Sequence, residues 1–246
     1  HDAPTDEARA LLNLGVLLGM RGNCRDATHA LERAAALGAQ LGDTLLQSRV
    51  LNSLGWLRVR QGREPDAQEL MRQSLRLAQL AGDLTQEGQV TGNLAYFLEQ
   101  QGDLAAARAL AKSHLDIARR TGQRPGESDA LTQLGRLSRA AGDHAAACAQ
   151  HEAALAIARE LGNPEMQIEI LTSLGAARLS HDRPDEARAC HAEALDLALG
   201  LADRHGQVLA HEGLAAVSRY FADVTTEQHH SRSADALRST WHAAPA

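Results

Sequence analysis

Apolar residues recur along the chain with helical spacing: Leu11, Leu14 and Leu18 are followed by Leu31, Ala34, Leu37 and Leu41. Steps of three and four residues place such side chains on one face of a helix. The pattern itself repeats. A Leu-Gly pair or a close variant stands at Leu14-Gly15, Leu54-Gly55, Leu94-Ala95, Leu134-Gly135, Leu174-Gly175 and Leu214-Ala215, every step being 40 residues. A fixed period of this size marks a repeat architecture. A second series, Gly22, Gly62, Gly102, Gly142, Asp182 and Ala222, predicts a turn after the first helix of each unit. A third, Gly42, Gly82, Gly122, Gly162 and Ala202, predicts the end of the second helix, where glycine tolerates a left-handed backbone.

Start signals agree with this reading. Asn163-Pro164-Glu165 sets a cap, a first-turn proline and an acid in order, and Asp103 and Asp143 follow turn glycines. Thr44 to Gln47 and Thr225 to Gln228 read as capping boxes. Ala27, Ala67, Ala107, Ala147 and Ala187 recur on the second helix, where a small side chain permits close approach of its partner; Glu227 breaks the series. The expected fold is all-α, with six antiparallel helix-turn-helix repeats and about twelve helices. The repeats span about residues 3–42, 43–82, 83–122, 123–162, 163–202 and 203–242 of one domain covering 3–242. One hairpin cannot bury its apolar face alone, so neighbours must stack into a solenoid.

The pattern resembles the tetratricopeptide repeat, in the 40-residue variety seen in kinesin light chains and many bacterial signalling regulators. The Leu-Gly pair, the small alanine after it and the second-helix endings at 75–78, 115–118, 155–158 and 195–198 carry the likeness. The resemblance implies a right-handed superhelix whose first helices line a concave surface that receives a protein or peptide. The tail from Glu227 to Arg238 looks like the last repeat before an output domain in bacterial diguanylate cyclases and sensor kinases. The chain begins at His1 and is expected to be part of a larger signalling or regulatory protein.

Composition narrows the function. Two Trp, two Tyr and two Phe are the only aromatic residues, so the core must be built from many small aliphatic contacts. A net charge of −6 with no like-charged block argues against nucleic acid. Three cysteines without CxxC spacing indicate neither a disulfide framework nor a zinc module. No long apolar run or signal segment is evident, so a cytoplasmic location without membrane contact is expected. His211-Glu212 opens a zinc-hydrolase motif, but Ala215 replaces its second histidine. No phosphate loop or nucleophile set can be assembled; neither catalysis, a metal nor a cofactor is expected.

Binding residues are sought on the first helices. Two positions before the Gly15-type residues stand Asn13, Ser53, Asn93, Gln133 and Ser173, then Gly213, and in the family resembled an amide there bonds an extended peptide's backbone. Asn52 joins this polar set. One residue after the glycine stand Trp56, Tyr96 and Arg136. Trp56 and Tyr96 are predicted neighbours that either anchor a partner or pack against the adjacent hairpin. Arg136 and Arg139, with Arg178 and Arg219, add positive charge suited to a carboxylate, or form ordinary surface ion pairs. His151 and His191 lie one repeat apart near Cys148 and Cys190, but at a position expected inside each hairpin, which disfavours a metal site. Tyr220, Phe221 and Trp241 form a candidate terminal surface for a homodimer. The alternatives to a peptide-binding scaffold are a sensor of a small molecule or signalling peptide and a homo-oligomerisation scaffold.

Overall fold

The computed structural model describes residues 3–242 of the chain, with side chains to residue 239. Those residues form twelve helices and no strand. Helices α1 (Ala3–Met20), α2 (Cys24–Leu41), α3 (Thr44–Arg60), α4 (Glu64–Ala81), α5 (Leu84–Gln100) and α6 (Leu104–Thr121) build one compact unit. Helices α7 (Arg124–Ala140), α8 (His144–Glu160), α9 (Pro164–Ser180), α10 (Pro184–Gly200), α11 (Arg204–Tyr220) and α12 (Val224–His242) follow, and the chain divides between Gly126 and Glu127.

Most helix starts are set by an asparagine or aspartate at the end of the preceding turn. Asn23, Asp43, Asp83, Asp103, Asp143, Asn163 and Asp203 each accept a backbone N–H of the following first turn, satisfying a donor that the helix leaves orphaned. Arg63 and Arg183 supply no side-chain cap, and at those two starts a first-turn proline takes over. The capping boxes expected at Thr44 and Thr225 are not formed as read. The caps stand earlier, with the Leu46 N–H donating to Asp43 at 2.9 Å and the Thr226 N–H to Asp223 at 3.1 Å.

The turn series behave as their spacing predicts, and they differ between the units. Every turn glycine from Gly22 to Gly162 has positive φ, but Asp182, Ala202 and Ala222 adopt φ of 61°, 53° and 56° with a side chain in place. An L residue costs about 1–2 kcal/mol in that region.

Inside each hairpin the Leu-Gly glycine is a slot for a large residue of the second helix. A Cβ added to Gly15 would lie 2.6 Å from Leu31 Cγ, and one added to Gly55 would lie 2.8 Å from Met71 Cγ. At Gly135 and Gly175 the occupants are the rings of His151 and His191, each 2.5 Å from an added Cβ. Where alanine replaces the glycine, the same register carries a smaller partner: Ala111 opposite Ala95 and Ser231 opposite Ala215. Slot and occupant are thus matched in volume, as a close-packed interior requires. The recurring alanines at 27, 67, 107, 147 and 187 are fully buried.

Stacking within the first unit buries Leu54 and Leu57 of α3 to 5% and 3% exposure, while their counterparts Leu14 and Leu17 of α1 remain 48% and 58% exposed. A buried polar knot fixes the register. Ser48 and Ser74 donate to each other's backbone carbonyls at 2.9 and 2.7 Å, and Gln86 of α5 donates to the Ser48 hydroxyl at 3.3 Å.

Candidate functional site

In the first unit α1 touches α3 and α3 touches α5, so residues 40 apart on these helices become lateral neighbours. Three parallel stripes result: Arg9, Asn13, Val16 and Met20; Arg49, Ser53, Trp56 and Arg60; Gln89, Asn93, Tyr96 and Gln100. Spacings of four, three and four residues keep each stripe on one side of its helix, and all twelve residues are exposed or half-buried.

The stripes carry the aromatic pair. The rings of Trp56 and Tyr96 lie 5.9 Å apart between centroids, tilted by 47°, within the range where such pairs attract beyond their buried area. Trp56 is half-buried and Tyr96 is 41% exposed, so the pair is held by the helices yet open to a partner. The polar series is less uniform. Asn13 is exposed, Ser53 donates back to its own helix at the Arg49 carbonyl, and Asn93 donates to the side-chain oxygen of Asn52 at 3.3 Å. Asn52 itself is buried, so it orients Asn93 from beneath.

Two cavities open between α1 and α3. One, of about 240 Å³, is walled by Val16, Met20 and Trp56, floored by Gly15 and Gly19, and edged by Arg60. The other, of about 180 Å³, holds Arg9, Asn13, Asp43 and Arg49. The spacing of Trp56 and Tyr96 announces the pair, but neither cavity follows from periodicity. The signal for the first was Gly19, whose counterparts in the other repeats are Val59, Glu99, Arg139, Leu179 and Arg219.

In the second unit the same registers look different. Gln133 is buried, Arg136 pairs with Glu169 at 3.5 Å and Arg139 is exposed. Arg178 bonds Glu152 at 3.2 Å and the Cys190 sulfur at 3.1 Å, and Arg219 bonds Glu227 at 2.8 Å. The stripe position of Arg9 and Arg49 is taken by Asp129 and Glu169.

His151 and His191 lie in their separate glycine slots, almost wholly buried. Burial pushes both imidazoles down to about 4, with Arg136 and Arg139 adding to the effect on His151. Cys148 and Cys190 are buried thiols whose pKa burial raises, which makes them poor nucleophiles at neutral pH. Among the described residues no three His, Cys, Asp or Glu side chains gather as metal ligands, and no helix is long and apolar enough to cross a membrane.

At the last repeat, the Tyr220 hydroxyl donates to Asp182 and the Arg188 guanidinium lies 4.8 Å over the Phe221 ring. Both rings stay about half exposed. The side chain of Trp241 lies outside the described residues. Where the second helices carry Gly38, Ala78, Ala118, Ala158 and Ala198, α12 carries Arg238, exposed and paired with Glu212 and Asp235.

Repeated antiparallel hairpins with volume-matched slots and accessible first-helix stripes define a helical-repeat protein of the solenoid class. The tetratricopeptide repeat profile matches residues 6–79 and 86–160, more than half of the sequence, and the chain belongs to that family. No curated protein matches the sequence. Among solved structures, BtubC from P. vanneervenii is 18% identical over 100% of this chain and 95% of its own, with a TM-score of 0.70. A Rap protein complexed with competence and sporulation factor is 14% identical over 94% of this chain and 65% of its own, at TM-score 0.75. A signal-transduction ATPase with a tetratricopeptide repeat sensor from Pyrococcus horikoshii is 14% identical at TM-score 0.76, over 97% of this chain but 37% of its own. At these identities the likeness is one of fold.

Proposed function

We propose that the chain is a non-catalytic scaffold of bacterial signalling or regulation that captures a peptide segment of a partner on the odd-helix face of its first unit. The observation that carries this reading is the Trp56 and Tyr96 pair, 5.9 Å apart on adjacent helices beside an apolar cavity. Aromatic side chains so placed supply contact area at small entropic cost, as binding hot spots do. Asn93, oriented by Asn52, offers an amide beside the pair that can both donate to and accept from an extended backbone. The fold shared with a Rap protein whose crystal contains a competence and sporulation factor supports a ligand of peptide kind.

The test is equilibrium binding of a random-sequence peptide library to the purified chain, with hits remeasured on Trp56→Ala and Tyr96→Ala. Each substitution should lower affinity at least tenfold, because truncating a hot spot costs about 2 kcal/mol or more. Failure of the native chain to retain any library peptide would overturn the reading.

A further inference from the structure

The first unit's stripes carry a charge that the chain as a whole does not. Arg9, Arg49 and Arg60 are their only ionisable side chains apart from Tyr96, and no acid stands among the twelve positions, in a protein of net charge −6. Arg9 and Arg49 converge on one cavity together with Asn13. The one acid lining it, Asp43, caps α3 through the Leu46 N–H at 2.9 Å. Two guanidiniums against one engaged carboxylate leave that cavity with a positive surplus, and guanidinium geometry matches a carboxylate. The larger cavity, between Val16, Met20 and Trp56, is apolar except for Ser53 and for Arg60 at its edge. At about 240 Å³ it falls short of the roughly 300 Å³ where drug-sized ligand sites begin, and it suits one large aliphatic or aromatic side chain.

The two cavities lie along the same pair of helices. The lining of one centres near residue 11 of α1 and that of the other near residue 18, a separation of about 10 Å at the helical rise. An extended polyproline-II strand brings every third side chain to one side, about 9 Å apart.

Resting on the reading that this face binds peptides, we infer that the α1–α3 groove selects an extended segment with an acidic side chain three residues from a large apolar one. Arg9 and Arg49 take the carboxylate, while Val16, Met20 and Trp56 enclose the apolar group. Gly19 is what keeps the apolar end open. It lies within a helix, where glycine is unfavourable relative to alanine, and a Cβ there would meet only Leu57 and Ala27 at 3.8 and 3.9 Å. Val59 fills the equivalent place on α3. The glycine therefore has no packing cause and leaves empty the volume that a ligand side chain would use.

The experiment uses fluorescein-labelled hexapeptides, capped at both ends, read by fluorescence polarisation alongside the random library. The parent carries Glu and Leu three positions apart; others change Glu to Gln, change Leu to Ser, or bring the two residues adjacent. The native chain should bind the parent at least tenfold more tightly than each of the others, and more weakly as salt rises. In Arg9→Gln with Arg49→Gln the Glu and Gln peptides should bind alike. In Gly19→Val the preference for Leu over Ser should fall at least fivefold, with unaltered helicity and an unchanged or higher Tm showing that the fold is kept. If library peptides bind but Glu and Gln peptides do so equally, or the arginine pair has no effect, the inference fails and the peptide-binding reading stands. Selection of a helical seven-residue spacing instead overturns the extended geometry. Absence of all peptide binding overturns both.

Discussion

The two compact units share one repeat plan and solve it with different chemistry. In the first, the Leu-Gly slots are filled by Leu31, Met71 and Ala111, and every turn residue with positive φ is glycine. In the second, two slots hold the buried imidazoles of His151 and His191, and three left-handed positions carry Asp182, Ala202 and Ala222. The register that carries Arg9 and Arg49 in the first carries Asp129 and Glu169 in the second. The comparison teaches that a repeat specifies volumes and backbone conformations. It leaves polarity free at each position, so acid sensitivity and surface charge can differ from hairpin to hairpin without a change of fold.

The strongest way to break this contrast is acid. With folded pKa values near 4 against about 6.5 in the unfolded chain, the two histidines bind protons preferentially in the unfolded state. Their contribution is intact above pH 6.5 and declines as pH falls toward 4, each by up to about 1.4 kcal/mol per pH unit. Urea unfolding across that window should show stability falling with pH. His151→Met, which copies Met71, should flatten the decline; an unchanged slope would refute the assignment. His114, in a neighbouring slot beside Gly92 of the first unit, has a pKa lowered by burial and adds to the decline in the same direction.

Next in size is the slot itself. Gly135→Ala drives a Cβ into the His151 ring and should cost about 3 kcal/mol, the upper range for an overpacked core. Adding His151→Ala should recover much of that loss, because Ala95 and Ala111 already form such a pair. Denaturation midpoints of the two single variants and the double variant decide it, and strict additivity would argue against volume matching.

A smaller effect of opposite sign is expected at the turns. Ala202→Gly should raise stability by up to about 1 kcal/mol, since relief of left-handed strain exceeds the entropy that glycine adds to the unfolded chain. A lower Tm would show that Ala202 is not strained. Smallest of all, Tyr96→Ala should change the unfolding midpoint by an amount equivalent to about 1 kcal/mol or less. That outcome, measured by thermal melts, separates an exposed binding face from the cores the other variants attack.

The fold was legible because a period of 40 residues is visible in the leucines and glycines themselves. Even the left-handed positions survived loss of glycine, since Asp182, Ala202 and Ala222 fall in phase with it. The capping-box pattern sets the caps one or two residues too late: Asp43 and Thr44 are both capping types, and only the hydrogen bond decides between them. The Trp56 and Tyr96 contact was readable because matching registers on successive first helices lie side by side. The two cavities were not. A cavity depends on the rotamers around it and on a missing side chain, and Gly19 reads in sequence as one more helix-weakening glycine. Likewise, neither spacing nor composition showed that Asn52 lies beneath Asn93 instead of beside it.

The slot of His191 reaches beyond its own hairpin. Its ring fills the space of an absent Cβ at Gly175 on α9 and at Gly213 on α11, so the fifth repeat places a demand on the sixth. Grafting a foreign repeat after residue 202 would therefore succeed only with glycine at the position of Gly213, whatever the quality of the donor hairpin. For anyone shuffling these modules, the transferable cassette runs from one histidine's helix to the glycine that receives it, and its ends do not coincide with the 40-residue boundaries.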